Sequence, residues 1–269
     1  MKKFNAIFNE ASPVIAMIHL GALPGTPAYQ NNWQSIADKA LLELEIYQKA
    51  GVDAIIIENM HDLPYLNKDI GPEIIACMTV VAQQISHQCS LPIGIQILSS
   101  ANQAALAVAK AAQLQFIRSE GFVFGHLADE GWINSDAGHL LRYRKSIDAD
   151  HIAVFTDIKK KHSAHAMTAD IDIVETAKAA SYFLSDGLII TGMSTGKEAP
   201  IDAIQAIKQE CTSPVIVGSG LTYDNLPHYL DKADALIVGS YFKEGGYWAN
   251  ALSYDRTAAF MEKARKLRS

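Results

Sequence analysis

The chain has 269 residues, enough for one domain with a large core, and its formal net charge is -6. Hydrophobic residues make up 49% and charged residues 19% of the sequence, a globular composition that excludes a disordered chain. The acidic balance argues against a nucleic-acid partner, and no apolar run approaches the ~20 residues that a membrane-spanning helix needs.

The cysteines and the first residues bear on the compartment. Cys77, Cys89 and Cys211 are an odd count without CxxC spacing, which is typical of reduced thiols. The opening segment MKKFNAIFNE contains two lysines, but no long apolar stretch follows them, so we expect no signal peptide. Both observations predict a cytoplasmic protein.

Apolar runs typical of buried strands recur along the whole chain. We expect eight strands, at Val14–His19, Ala54–Glu58, Ile93–Leu98, Phe116–Ser119, Ile152–Asp157, Leu188–Thr191, Val215–Gly218 and Ala235–Gly239. Amphipathic or Ala-rich stretches alternate with them and predict helices at Ser35–Ala50, Pro72–His87, Asn102–Gln113, Gly138–Ser146, Asp170–Ser181, Ile201–Gln209 and Leu226–Leu230. Val- and Ile-rich strands that alternate with helices indicate a parallel sheet covered on both faces.

Eight such units favour closure into a (β/α)8 TIM-type barrel over an open doubly wound sheet. No GxGxxG follows the first strand, which also argues against a dinucleotide-binding fold. No linker or low-complexity segment is visible, so we predict a single barrel domain over residues 1–269.

Two long loops interrupt the alternation, Gly21–Asn32 after the first strand and Gly121–Asp136 after the fourth. Both follow strands, so both should lie at the C-terminal face, where barrels carry function. The second loop contains Phe122, Phe124 and Trp132, and we expect either a small hairpin over the mouth or a subunit contact.

A second aromatic group follows the eighth strand and consists of Tyr241, Phe242, Tyr247 and Trp248. Aromatic side chains are enriched at the cores of protein interfaces. The two groups together predict a homo-oligomer, with a lid over a ligand as the alternative.

Polar side chains are concentrated at the carboxyl ends of the predicted strands. A barrel gathers these ends around one opening, and buried polar groups without partners cost several kcal/mol, so their concentration predicts a site. The candidates are His19, Glu58, Asn59, Gln96, Arg118, Glu120, Asp157, Lys159, Thr191 and Gly192.

The densest cluster lies in FTDIKKKHSAH, which contains Asp157, Lys159, His162 and His165. Asp157 and Lys159 alternate, so both point the same way from an extended segment. Lys159 is a candidate proton donor, oxyanion ligand or Schiff-base amine, and the alternative is an ion pair that ties a loop to the rim.

Three further side chains are candidates for acid or base chemistry. Glu58 ends an apolar run and is either a general base or the partner of Arg118. Glu120 lies on the same side of its strand as Arg118, so an ion pair and a catalytic role are equally open. His19 is either a buried structural histidine or a group that faces the mouth.

The runs PVIVGSG and ALIVGS end the seventh and eighth strands in small, flexible residues. This is where TIM-type barrels commonly hold a phosphate, because glycine lets the backbone approach the anion. The predicted phosphate ligands are Gly218, Ser219, Gly220, Gly239 and Ser240, with Gly192 from the TGMSTGKEAP segment. That segment lacks the GxxxxGK[ST] spacing of a P-loop.

No cofactor is implied by a motif, since neither HExxH nor an HxH at the first strand occurs. Among metals, Mg²⁺ held partly by a substrate phosphate is more plausible than a transition metal.

The segments AMIHLGALPGTP, AIIIENMHD, DIKKKHS and GLIITGMSTGKEAP together resemble the BtpA/SgcQ family, from about Pro13 to Ser240. The resemblance implies a TIM-type barrel but no settled reaction. The family is named for a cyanobacterial member linked to photosystem I biogenesis, and other members occur with genes of sugar metabolism. Its motifs fall on His19, Gly21, Pro24, Gly25, Glu58, Asn59, Asp157, Lys159, His162, Thr191, Gly192 and Gly196.

Three functions are compatible with these residues. The first is an isomerase, epimerase or lyase that acts on a phosphorylated sugar or similar metabolite. In it Glu58 and Asp157 serve as acid and base, Lys159 stabilises an enolate or alkoxide, and His19 and His162 shuttle protons. The alternatives are a non-catalytic assembly or biogenesis factor, and a phosphohydrolase or nucleotide-binding protein.

Overall fold

The computed structural model describes residues 1–192, 194 and 196–268. Its strands are β1 (Val14–His19), β2 (Ala54–Glu58), β3 (Ile93–Gln96), β4 (Phe116–Ser119), β5 (His126–Ala128), β6 (Gly131–Ile133), β7 (Ala153–Asp157), β8 (Ser163–Ala164), β9 (Gly187–Ile190), β10 (Val215–Val217) and β11 (Ala235–Val238). Its α-helices are α1 (Lys2–Ile7), α2 (Trp33–Ala50), α3 (Pro72–Gln88), α4 (Asn102–Ala111), α5 (Ala137–Ser146), α6 (Ile173–Tyr182), α7 (Ile201–Glu210), α8 (Leu226–Tyr229) and α9 (Tyr254–Arg268).

Eight parallel strands close into a barrel in the order β1-β2-β3-β4-β7-β9-β10-β11, and β11 pairs with β1. The predicted (β/α)8 TIM-type fold is therefore confirmed. Four strands end one or two residues before their predicted ends. At β3 the cause is visible, because the Leu98 N–H donates to Asn59 Oδ1 at 2.7 Å instead of to a neighbouring strand.

Helix α1 closes the bottom of the barrel, a feature that the sequence analysis missed. Phe4 and Phe8 are buried against Phe116 and Phe155, whose side chains fill the N-terminal end of the barrel. The ring centroids of these pairs lie 5.3 to 6.2 Å apart, as is usual for packed aromatic side chains. The bottom is thus a packed core.

The loop after β4 forms the expected hairpin at the mouth. Strands β5 and β6 pair antiparallel, with Leu127 opposite Trp132, and β8 adds a third strand. Phe122 does not belong to any contact surface, because it is only 1% exposed and packs in the core. The exposed apolar side chains of the hairpin are Leu127 and Trp132, at 52% and 43%.

The members of the aromatic group after β11 also lie in different environments. Phe242 is fully buried against Tyr47 and Phe260, so it is a core residue and is unavailable to a partner subunit. Tyr247 is exposed, whereas Trp248 lines the mouth. This segment therefore contributes to the core and the mouth, and little of it remains for an interface.

The hairpin provides a test of the predicted homo-oligomer. If Leu127 lies at a subunit contact, Leu127→Glu should convert a particle heavier than the 29.3 kDa chain into monomers, because it buries a charge in the interface. Light scattering at micromolar concentration measures the mass. Leu42→Glu on α2, where Leu42 is 57% exposed, is the matched control. A monomeric parent would contradict the prediction.

None of the helices that the structure describes is long and apolar enough to cross a membrane.

Candidate active site at the barrel mouth

A cavity of about 610 Å³ opens at the C-terminal ends of the barrel strands. This size is ordinary for a small-molecule site. The structure brings eleven of the predicted site residues to its wall, namely His19, Glu58, Gln96, Arg118, Glu120, His162, Gly218, Ser219, Gly220, Gly239 and Ser240.

Glu58 and His19 face each other at the ends of β2 and β1, in register across the two strands. Glu58 Oε2 lies 3.5 Å from His19 Nε2, and both side chains are buried. Burial raises the pKa of Glu58 to about 7, although Arg118 opposes the shift. Burial and the charge of Lys243 lower the pKa of His19 to about 3. The histidine is therefore neutral and the carboxyl group titrates near neutral pH.

The hydrogen bond at Nδ1 determines the tautomer of His19 and therefore what Nε2 presents to Glu58. His19 Nδ1 lies 3.4 Å from the Trp248 carbonyl oxygen, which can only accept a hydrogen bond. With its proton on Nδ1, the neutral ring presents a lone pair on Nε2 towards Glu58. The carboxyl group thus has a neutral neighbour in both protonation states, which suits a group that takes up and releases a proton.

Arg118 and Asp157 form a bidentate ion pair inside the barrel. Arg118 Nε and Nη2 each donate to an Asp157 carboxylate oxygen at 2.9 Å. Asp157 does not line the mouth cavity, and its two oxygens are held by one guanidinium. The predicted acid or base role of Asp157 does not fit this geometry, and the expected alternative, an ion pair with Lys159, is not formed either, since the partner is Arg118.

Glu120 accepts several hydrogen bonds and holds the loop after β3. Its oxygens accept from the Gln96 side chain at 3.2 Å and from the Ser100 backbone N–H at 3.0 Å. Lys160 Nζ lies 3.7 Å from Glu120 and 3.5 Å from Glu130, at the turn of the hairpin. These contacts tie the hairpin turn to the barrel wall.

Lys159 does not reach the mouth, contrary to the prediction. Its Nζ donates to the Thr168 carbonyl oxygen at 3.0 Å, outside the mouth cavity. The expectation assumed an extended segment, but Lys159 has φ +49° and His162 has φ +55°, so the chain turns and the alternation is lost. As a result Lys160 and Lys161 line the cavity.

Lys161 is one of the cavity-lining cations that the sequence candidates did not include. Burial and the nearby charge of Arg118 lower the pKa of its amine. Within the part of the chain that the structure describes, Nζ of Lys161 forms no ion pair or hydrogen bond. The three consecutive lysines were the signal, but choosing among them required the turn.

Three other candidates lie behind the cavity wall. Asn59 donates to Asp62 and accepts from the Leu98 N–H, so it joins the loops after β2 and β3. Thr191 Oγ1 is buried and has no hydrogen-bond partner among the described residues. Gly192 donates its N–H to Ser219 Oγ at 2.9 Å, and a Cβ there would collide with the Lys197 carbonyl group. Its role is therefore close packing of two loops, not anion binding.

The ends of β10 and β11 present unused backbone donors to the cavity. The N–H groups of Ser219, Gly220, Gly239 and Ser240 form no hydrogen bonds with the described part of the chain. Asn225 holds the first of these loops, since its side chain donates to the Gly220 carbonyl oxygen at 2.8 Å. A fixed set of free N–H groups is suited to an anion.

Arg256, on the first turn of α9, adds a cation that sequence reasoning missed. It lines the cavity, its Nε donates to the Tyr241 carbonyl oxygen at 2.7 Å, and its guanidinium lies over the Tyr241 ring. The remaining guanidinium nitrogens are not used in a hydrogen bond to the described residues. No motif in the sequence marks this position, the third residue of the terminal helix.

Metal binding by the protein's own side chains has little support among the described residues. No group of three or more His, Cys, Asp or Glu side chains there is arranged to hold an ion. Mg²⁺ prefers carboxylate oxygens, but Glu120 and Glu130 are already paired with Lys160. Glu58, Asp129 and Asp224 also line the cavity, so Mg²⁺ held partly by a substrate phosphate stays a prediction.

The sequence model of the BtpA family matches residues 10–266, nearly the whole chain. The chain belongs to the BtpA family. The mitochondrial protein F13E9.13 of Caenorhabditis elegans is 44% identical over 268 residues, which cover 97% of this chain and 96% of that protein. The photosystem I biogenesis protein BtpA of Synechocystis is 30% identical and covers 95% of this chain and 88% of its own. The predicted family resemblance is confirmed.

Solved structures with the same fold are remote in sequence. The tryptophan synthase of Mycobacterium tuberculosis has a TM-score of 0.62 at 13% identity and covers 98% of this chain and 97% of its own. The native KDPGal structure has a TM-score of 0.58 at 17% identity, with 95% coverage of both chains. Phosphoribosyl anthranilate isomerase from Thermus thermophilus has 0.56 at 16%, with 95% and 99% coverage. At these identities the likeness extends to the fold alone.

Proposed function

We propose that this BtpA-family chain is an enzyme that transfers protons on a phosphorylated small metabolite with a carbonyl group, in an isomerase, epimerase or lyase reaction. One observation carries the proposal. The four residues whose N–H groups form no hydrogen bond with the described part of the chain, together with Arg256, line the same cavity as the buried Glu58 and His19 pair. An anion anchor and a proton-transfer group in one cavity suit a substrate with a phosphate at one end and a reactive carbon at the other.

The roles follow from the charges of the wall. Glu58, with its pKa raised to about 7, removes a proton from the carbon beside the carbonyl group and returns it elsewhere. The guanidinium of Arg118 lies on the same wall and stabilises the negative charge that develops on the substrate during proton transfer. His19 remains neutral beside Glu58 and does not compete for the proton.

The proposed phosphate anchor is tested with inorganic phosphate. We expect phosphate to raise the melting temperature of the parent, and Arg256→Met to weaken its binding about tenfold, because a charge-assisted hydrogen bond is lost. Calorimetry measures the dissociation constant. Arg256→Lys should keep most of the affinity, and Arg142→Met on the outer surface of α5 should keep all of it. Equal affinity in Arg256→Met would contradict this anchor.

The reaction class is tested by exchange in deuterium oxide. A panel of phosphorylated aldoses and ketoses is first ranked by thermal shift, and the binders are then followed by NMR. We expect the hydrogen beside the carbonyl group of a binder to be replaced by deuterium only in the presence of the protein. Binding without exchange for every compound would leave the anchor standing and contradict the proposed chemistry.

An assembly factor is the second candidate. The name of the Synechocystis relative and the exposed Leu127 and Trp132 favour it. An assembly factor should bind a protein partner through the hairpin and retain this after Glu58→Gln, whereas an enzyme should lose its turnover. The location of the protein is a separate question. A cytoplasmic location stays a prediction, because the nematode relative is labelled mitochondrial.

Nucleotide binding through TGMSTGKEAP has less support. Met193 and Thr195 of this segment lie outside the described residues. The Lys197 carbonyl group packs on Gly192 and Gly220, so the segment turns an acceptor towards its neighbours where a phosphate would need donors.

A further inference from the structure

We propose that the amine of Lys161 forms a Schiff base with the carbonyl carbon of the substrate, so that the ligand class of the mouth is a phosphorylated aldehyde or ketone. This inference rests on the proposed function and specifies its chemistry. It assigns a covalent role to a residue for which neither the motifs nor the comparisons give one.

The first argument is the pairing of the cations around the cavity. Arg118 is held by Asp157, and Lys160 is held between Glu120 and Glu130. Lys161 lines the same cavity, and in the described residues its Nζ has no ion-pair or hydrogen-bond partner. A partly buried lysine that lines a cavity without a carboxylate partner is otherwise unfavourable, which indicates that its amine has another use.

The second argument is the charge state of this amine. Burial, with the guanidinium of Arg118 close by, lowers the pKa of Lys161, although Glu58, Asp157 and Glu120 act against the shift. A lysine must be neutral to act as a nucleophile, and desolvation beside a second cation is an established way to make it so. At Lys160 the two carboxylates outweigh burial and raise the pKa, which keeps that neighbour charged.

The chemistry is complete with the groups present. The Nζ lone pair attacks the carbonyl carbon and forms a C–N bond, while the C=O electron pair moves to oxygen, which takes a proton from the Glu58 carboxyl group and leaves it as the carboxylate. The carbinolamine then loses this oxygen as water and becomes a protonated imine. The iminium draws electrons from the adjacent C–H bond, and the Glu58 carboxylate accepts that proton. Reprotonation and addition of water release the product and restore the amine.

The test traps the imine by reduction. The full-length protein is incubated with dihydroxyacetone phosphate or with pyridoxal 5′-phosphate, a phosphorylated ketone and aldehyde, and then treated with borohydride. We expect one stable adduct per chain by intact mass, located at Lys161 by peptide mapping. Inorganic phosphate should compete with the labelling, and unphosphorylated dihydroxyacetone should label much less.

Variants separate Lys161 from its neighbours. Lys161→Arg should lose the adduct and keep phosphate binding, while Lys159→Arg, which is outside the cavity, should be labelled like the parent. Mapping in the parent makes the result independent of whether a variant folds. Labelling confined to other lysines, or no adduct with either compound, overturns the proposal.

The two proposals fail in different ways. Phosphate binding and deuterium exchange without any trapped adduct would remove the Schiff base and leave proton transfer by Glu58 intact. Loss of phosphate binding and exchange, with no adduct, would remove both.

Discussion

Glu58→Gln is expected to lower turnover by about 100- to 10,000-fold and to make the protein more stable at about pH 8. The amide keeps the shape of the neutral carboxyl group but cannot accept a proton. Turnover of the parent should rise with pH through an inflection near the Glu58 pKa of about 7, because the deprotonated form is the base. The variant should lack this inflection.

The stability effect follows from the direction of the shift. The pKa of Glu58 is about 7 in the folded chain against an ordinary 4.5, so the folded state binds this proton more tightly. The parent has the benefit in full below pH 4.5 and loses it as the pH rises through about 7. The loss corresponds to roughly 3 kcal/mol in the free energy of unfolding.

Urea unfolding across this pH range measures the change. Glu45→Gln, at an exposed glutamate of α2, is the control and should alter neither turnover nor the pH dependence. Full turnover in Glu58→Gln would exclude Glu58 as the base. Parallel stability profiles of parent and variant would contradict the raised pKa.

Asp157→Asn is expected to destabilise the chain by about 3 to 5 kcal/mol. The exposed fractions of the Arg118 and Asp157 side chains are only 5% and 2%, so the variant leaves a buried guanidinium without its counter-charge. The sequence interpretation instead predicts loss of activity with a melting temperature within a few degrees of the parent.

A double-mutant cycle distinguishes the two views. Arg118→Met combined with Asp157→Asn should recover part of the lost stability, since no buried charge remains unpaired. Urea midpoints of the four proteins give the coupling. An Asp157→Asn protein that unfolds like the parent yet is inactive would restore the catalytic interpretation of Asp157.

The barrel and its functional end were predictable because they depend on patterns that the chain repeats. Continuous apolar runs such as Ala54–Ile57, repeated between helical segments, indicate buried strands, and a polar residue such as Glu58 at the end of one is expected at the mouth, where the structure has it. The direction of individual side chains was not predictable. A positive φ at Lys159 reverses the assumed alternation and exchanges Lys159 for Lys161.

Contacts between segments that are distant in the sequence could not be predicted either. Arg256 reaches the cavity from α9, and α1 reaches Phe116 and Phe155 from the first residues of the chain. Neither position carries a local motif, because the chemistry arises only when the barrel closes. The same holds for Asp157, whose partner Arg118 lies 39 residues earlier in the chain.

Phe4 and Phe8 close the N-terminal end of the barrel, and the cavity opens at the opposite, C-terminal end. In the described residues, aromatic rings fill the N-terminal end of the barrel. A ligand therefore enters and leaves the cavity through the mouth. That route passes the hairpin turn, where Asp129 and Glu130 line the opening and Lys160 holds Glu130. Product must therefore leave before the next substrate binds, and the Lys160–Glu130 ion pair at the rim is expected to influence the rate of product release.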